Sequence, residues 1–157
     1  MKLWRIAAET RTYAATDLSG GGAASHPGRW NDVGQAVVYS ASTLSLAVLE
    51  TAAHVDDAGL PQNRFVVQID VPDSVWRQRQ TLDVATLPAT WAAIPAGSTS
   101  IKIGSRWLQS QASAILLVPS VIVPEEFTAL INPQHSAASK LKARVTRTFD
   151  YRRLFRS

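Results

Sequence analysis

STSIKIGSRWLQSQASAILLV, residues 98–118, sets two periodicities side by side. Over residues 98–111 the apolar positions Ile101, Ile103, Trp107 and Leu108 face one way round a helix, so a helix is expected there. Ala114 to Val118 is continuously apolar and flanked by Pro119, the length and pattern of a strand buried on both faces. A helix leading straight into a central strand implies a mixed α/β domain.

Working outward from this pair, Arg64 to Val71 alternates Phe65, Val67, Ile69 and Val71 against Val66, Gln68 and Asp70, a strand with one firmly buried face, turned at Pro72-Asp73-Ser74. Thr43 to Val55 carries Leu44, Val48, Ala52 and Val55 at helical spacing, widened by Leu46, Leu49 and Ala53. A largely buried helix is expected, capped by Ser42 or Thr43. Before it, residues 35–39 read as a strand, as does Leu3-Trp4-Arg5-Ile6 at the start. Residues 16–28 are Gly/Ser-rich and read as a loop, residues 82–97 are broken by Pro88 and Pro95, and residues 144–151 alternate as a late strand. With no repeat and no linker, residues 1–157 form one domain, with a basic final strand and tail over about residues 140–157.

Composition narrows the chemistry. The 157 residues match about one domain at ~100–200 residues each. With 46% hydrophobic and 18% charged residues the chain can build a core and does not resemble a disordered polyelectrolyte. The lack of Cys excludes a disulfide framework, a thiolate nucleophile, a zinc–thiolate site and an iron–sulfur centre, leaving oxygen and nitrogen groups to do any chemistry. No apolar run has signal-peptide or membrane-span length, so a cytoplasmic protein without membrane contact is expected. The net charge of +4 is uneven: Lys140, Lys142, Arg144, Arg147, Arg152, Arg153 and Arg156 face one acid, Asp150, giving this segment +6 and the remainder −2. Such a tail suits phosphates, or, more simply, a solvated strand or an acidic partner surface.

Several side chains stand out. Glu50 lies on an apolar helix, where a buried carboxylate needs a polar partner, and His54 sits one turn on; the alternative is a solvated Glu50 and a His54 at the helix C-terminus. Arg29-Trp30-Asn31 puts a planar cation, an aromatic and an amide behind the Gly-rich loop, a composition for gripping a planar anionic ligand, or else an Arg on surface acids beside a core Trp. Tyr39 ends an apolar strand, as a ring contact or as a core residue with a satisfied hydroxyl. Ser120 is a lone hydroxyl in Val118-Pro119-Ser120-Val121-Ile122, without the Gly-x-Ser-x-Gly elbow of a serine hydrolase. His26, His54 and His135 have no metal-ligand spacing, and Ser19-Gly20-Gly21-Gly22-Ala23 lacks the Lys-Ser/Thr ending of a phosphate loop.

In this order, Leu3-Trp4-Arg5-Ile6, Ser19-Gly20-Gly21-Gly22-Ala23, Gly28-Arg29-Trp30-Asn31, Val37-Val38-Tyr39-Ser40, Leu46-Ala47-Val48-Leu49-Glu50 with His54, Leu87-Pro88 with Trp91, Ile103-Gly104 with Trp107-Leu108, Val118-Pro119-Ser120, Leu130-Ile131-Asn132-Pro133-Gln134-His135 and Phe149-Asp150-Tyr151-Arg152-Arg153-Leu154-Phe155 resemble the RES domain. This is the toxin half of a bacterial toxin–antitoxin class named for an Arg, a Glu and a Ser. The resemblance implies an α+β, ADP-ribosyltransferase-like single domain, with a split, mixed and largely antiparallel sheet around an NAD cleft and flanking helices. It maps the Arg to Arg29, the Glu to Glu50 and the Ser to Ser120, with Tyr39 as the pocket aromatic. The reaction it implies is breakage of the nicotinamide–ribose bond of NAD+, by phosphate, water or a protein side chain. Glu50 would hold the ribose and face its developing positive charge, Arg29 would grip the pyrophosphate or the attacking anion, and Tyr39 would stack on nicotinamide. Ser120 would bond the carboxamide or ribose, Trp30 and Asn31 would line the substrate site, and His54 or Asn132 would orient Glu50. NAD+ is then a substrate, with inorganic phosphate as an optional co-substrate and no prosthetic group or metal. The partners implied are a Xre-type antitoxin and a second copy of the chain, with no nucleic acid; a nucleic-acid-binding tail is the competing reading. Ser105 and Phe127 depart from the expected Asp and Asn, a difference placed in the pocket wall or partner surface.

Overall fold

A computed structural model describes residues 1–155. Seven strands, β1 (Lys2–Ala8), β2 (Val38–Ala41), β3 (Arg64–Asp70), β4 (Gln80–Thr81), β5 (Ile115–Pro119), β6 (Phe127–Ile131) and β7 (Lys142–Phe149), form one sheet in the order β4-β5-β6-β2-β1-β3-β7. Every neighbouring pair is antiparallel except β4–β5. The helices are α1 (Gly21–Ser25), α2 (Leu44–Ala52), α3 (Asp73–Arg77) and α4 (Ser98–Ser110), with short 3-10 turns between. The expected α+β domain with a mixed sheet and flanking helices is therefore found. Among the described residues no helix is long and apolar enough to cross a membrane.

The sheet is nearly divided. β1 and β3 pair over seven residues, from Lys2 opposite Asp70 to Ala8 opposite Arg64, whereas β1 meets β2 only where Trp4 lies opposite Ala41. One face is a continuous core crossing that seam, with Leu3, Val67 and Ile69 on one side of it and Val38, Ile115, Leu117 and Ile131 on the other. The opposite face is covered in two parts. Trp30, Trp91 and Trp107 pack on Val37, Leu116, Val118 and Leu130 over the β5-β6-β2 half, while α2 rides chiefly on β1, with Leu44, Val48 and Ala52 against Ile6 and Val66. A site between these two covers lies over β2.

Several expectations need correction. Residues 16–28 are not all loop: Gly20, in the left-handed region at φ 74°, opens helix α1, and the Pro72-Asp73-Ser74 turn leads into helix α3. The second strand starts at Val38 and runs on to Ala41, because β6 offers pairing partners from Thr128 to Ile131. α2 is covered on one side only; Leu46 and Ala47 are buried but Leu49 is 39% exposed. β3 is buried on both faces from Val66 to Ile69, since α2 covers the side that the alternation left to solvent. β7 is mostly exposed because it is the sheet's last strand, and its basic residues face water. Beyond it Arg152 clamps Asp150 through its guanidinium, holding that carboxyl at about 2, below its ordinary value. Arg156 of the basic tail lies outside the described residues.

Candidate functional site

α2 is started by Thr43, whose hydroxyl accepts from the Leu46 amide at 3.1 Å, as a capping side chain should. Leu46 and Ala47 anchor the helix, and Glu50, three to four residues on, falls on their side of it, half-buried. There it meets Ser120, 70 residues away in sequence, whose hydroxyl donates to Glu50 Oε1 at 2.5 Å.

Ser120 closes β5 and opens a tight turn, its amide bonding the Glu126 carbonyl at 2.9 Å. Its oxygen also accepts from the amides of Ile122 at 3.1 Å and Val123 at 3.2 Å. A hydroxyl has one proton and two lone pairs, and all three are now taken. Ser120 thus holds Glu50 in place instead of meeting a carboxamide or ribose as expected. Glu50 Oε2 takes no hydrogen bond among the described residues and is left for a ligand.

Arg29 stands in the opposite wall. Its Nη1 donates to the carbonyls of Trp91 at 3.0 Å and Ala93 at 2.7 Å, which fixes the guanidinium plane. Burial lowers its pKa, an effect opposed by the negative charge of Glu50 and then by Tyr39; an Arg remains a cation regardless. The coupling places Arg29, Glu50 and Tyr39 in one electrostatic neighbourhood.

Tyr39 rises from β2 between these walls. Its hydroxyl donates to Asn31 Oδ1 at 2.7 Å and accepts from the Trp30 amide at 3.0 Å. Burial pushes the phenol's pKa up, so it stays neutral, and only its ring is left for a ligand. Gly28 is required here, because a Cβ would lie 2.6 Å from the Tyr39 ring carbon that bears the hydroxyl. Tyr39→Phe leaves the buried Trp30 amide unpaired and takes one of the two donors from Asn31 Oδ1, which keeps the Gly28 amide. It is expected to cost ~1–3 kcal/mol, read as a lower urea midpoint with an unchanged slope.

Asn31 and Trp30 are supports, contrary to the expectation that they touch substrate. Asn31 is fully buried; its Oδ1 takes the Gly28 amide at 2.8 Å and its Nδ2 reaches the carbonyls of Ala23 and Gln35, so it ties the Arg29 loop together. Trp30 is buried against Trp91, with ring centroids 6.0 Å apart. His54 lies beyond the end of α2, exposed and unbonded to Glu50, since the helix stops before it can complete the turn. Asn132 follows β6, and because β5 and β6 are antiparallel it sits by Ala114, at the far end of the pair from Ser120. Its amide bonds Leu108 and its oxygen the Gln134 amide, so it does not orient Glu50.

The sequence pointed to no role for the carbonyls of Trp91 and Ala93, for Ser100, whose hydroxyl bonds the Arg29 carbonyl at 2.8 Å, or for Gly104, which lets α4 pass the Trp30 carbonyl. Backbone carbonyls leave no mark in a sequence; the Gly104 break in the apolar face of α4 was the one available signal. Ser105, one of the departures, bonds Gln35 at 2.8 Å and steadies the same loop, and Phe127 packs into the core on the sheet's other face.

A family described as the RES domain matches residues 2–153. The chain is 54% identical to the "Prs ADP-ribosylating toxin" of Sphingobium sp. (strain YBL2), over 94% of this chain and 92% of that protein. It is 41% identical to the "Toxin Res" of Yersinia enterocolitica over 87% of each chain, and 36% identical to the "Toxin Res" of Pseudomonas putida over 92% of this chain and 93% of that one.

Proposed function

The chain belongs to the RES-domain family, and from that premise we propose that it is a toxin that breaks the nicotinamide–ribose bond of NAD+ and passes the ADP-ribosyl group to an acceptor. The observation that carries this reading is the Glu50 carboxylate, held by Ser120 on one oxygen and free on the other, in one electrostatic neighbourhood with Tyr39 and the fixed cation of Arg29. Breaking this bond builds positive charge on the ribose, so a carboxylate already oriented by Ser120 stabilises the transition state without reorganising. Nicotinamide leaves neutral and needs no strong acid. Arg29 keeps N–H groups beyond those given to Trp91 and Ala93, suited to the pyrophosphate. Tyr39, its hydroxyl already used, offers a ring face to a cationic nicotinamide.

Three acceptors are compatible with this equipment: inorganic phosphate, water and a protein side chain. The 54% identity to a toxin named for ADP-ribosylating Prs favours the protein. An enzyme of this kind must be restrained in its own cell, and a Xre-type antitoxin is the proposed partner. The exposed basic strand β7 offers an acidic face of that partner, or of a second copy, a place to rest. The test is mass spectrometry of the products formed by the antitoxin-free chain from NAD+, in phosphate and in phosphate-free buffer, with and without purified Prs. Nicotinamide should appear in every arm; its absence overturns the reading. ADP-ribose, its phosphate ester or an adduct on Prs then identifies the acceptor.

A further inference from the structure

The backbone does little to hold Glu50 against Ser120. α2 rides chiefly on β1 and Ser120 follows β5, and the two halves of the sheet that carry them meet only where Trp4 lies opposite Ala41. An O–H···O bond tolerates a spread of only about 0.5 Å, so side chains must set the spacing.

Leu3 and Ala7 of β1 enter the core on the far face, which turns Trp4 and Ile6 toward α2. Ile6 packs with Val66 and Tyr151 under Leu44, Val48 and Ala52. Trp4, half-buried, packs against that group and also against a second one, made of Ala41, Leu46 and Ala47, where Val123 joins it. Among the described residues no other side chain packs against both. The second group leads to each end of the Glu50–Ser120 bond. Leu46 and Ala47 lie one turn before Glu50 on the same side of α2, and Val123 gives its amide to Ser120 Oγ at 3.2 Å.

We propose that Trp4 is a positioning residue for the site: packed against α2 and the Val123 turn together, it sets the spacing at which Ser120 aims the Glu50 carboxylate. Its effect on rate rests on the reading that this site cleaves NAD+; its effect on the bond does not. Aim matters most where charge develops on the ribose, and less for the hold on NAD+ proposed for Arg29 and Tyr39, so loss of Trp4 lowers kcat and spares KM. A residue that served the core alone would lower stability and leave the rate per folded molecule as it was.

The test compares Trp4→Leu and Trp4→Phe with Val66→Ala, which opens space in the same α2 packing but away from Leu46, Ala47 and Val123. Steady-state nicotinamide release is measured where each variant is folded, and exchange of the Ile122 and Val123 amides is followed by NMR. Trp4→Leu should lower kcat about tenfold or more with KM held within about twofold, and Trp4→Phe, which keeps a ring, should fall between it and the unaltered chain. Both should speed exchange of the two amides, whose acceptor is the Ser120 hydroxyl. Val66→Ala should melt lower yet keep kcat within about twofold and both amides protected. In a Ser120→Ala background, where the bond is already gone, Trp4→Leu should change kcat by less than about threefold. Independent effects of Trp4→Leu and Ser120→Ala overturn the proposal, as does an unchanged kcat in Trp4→Leu or an equal loss of kcat in Val66→Ala. Should Trp4→Leu not fold, Trp4→Phe carries the same comparisons. An unaltered chain that releases no nicotinamide overturns the cleavage reading; faster exchange at Ile122 and Val123 in the Trp4 variants alone then still supports the positioning, and unchanged exchange overturns it.

Discussion

Glu50→Gln lowers nicotinamide release from NAD+ by about 10²–10³-fold or more, and expression of the variant no longer arrests growth. The expected size is that of removing one preorganised group from developing charge. Gln matches Glu in shape, and its amide oxygen still accepts the Ser120 proton that Oε1 accepts now. The side chain therefore keeps its place, and what is lost is the negative charge proposed to face the ribose. Ser120→Ala makes the converse change: charge retained, donor gone, with the amides of Ile122 and Val123 deprived of their acceptor. Its activity should fall between the unaltered chain and Glu50→Gln, and its melting temperature should drop, whereas that of Glu50→Gln should barely move. A Glu50→Gln protein that still consumes NAD+ at the original rate removes Glu50 from the reaction.

Gly104→Ala should disable the protein from a position that touches no ligand. A Cβ at Gly104 would stand 1.7 Å from the Trp30 carbonyl oxygen and 2.7 Å from its carbon. Those are backbone atoms, which cannot swing aside as the end of a side chain can. Either α4 retreats or the loop carrying Arg29 and Trp30 moves, and the loop is tied to Asn31, Ser100 and Tyr39. Ala in a helix gains about 1 kcal/mol over Gly, yet overpacking of this severity costs about 3 kcal/mol or more, so destabilisation wins. Thermal melts should show it directly. Nicotinamide release should fall as well, because Arg29 shifts with its loop. Gly22→Ala is the control: nothing lies within 4 Å of that added carbon, and both stability and activity should be kept. A Gly104→Ala protein with native melting and activity would mean that α4 and the loop yield more easily than this packing implies.

The parts of the fold that sequence reveals are those whose partners lie close along the chain. α4 and β5 announce themselves by Ile101, Trp107 and the run from Ala114 to Val118, because burial leaves a periodic record. β6 escaped notice because Phe127 to Ile131 has a Thr and an Ala where alternation would be read, and its place is set by pairing with β5, from Pro119 opposite Phe127 to Ile115 opposite Ile131, and with the distant β2, from Ala41 opposite Thr128 to Val38 opposite Ile131. β4, two residues long, has no pattern to find. At the site, the three residues of the family motif were found by resemblance, but the bonding of Ser120 was not. That Ser120 has no free valence depends on the amides of Ile122 and Val123, which any sequence would possess. Asn31 and Trp30 looked like ligand contacts from their chemistry; only burial shows that they brace Tyr39 and Arg29.

The single pairing of Trp4 with Ala41 bears on how the molecule opens. Backbone bonds give the two halves of the sheet almost no mechanical coupling, so cooperativity between them has to come through side chains: Leu3 and Ile69 meshed with Val38 and Ile131 on one face, and Glu50 reaching across to Ser120 on the other. The second of these links belongs to the proposed reaction centre. The bond that aims the carboxylate is thus also a latch between two potential foldons, and amide exchange across the seam becomes a report on the state of the site.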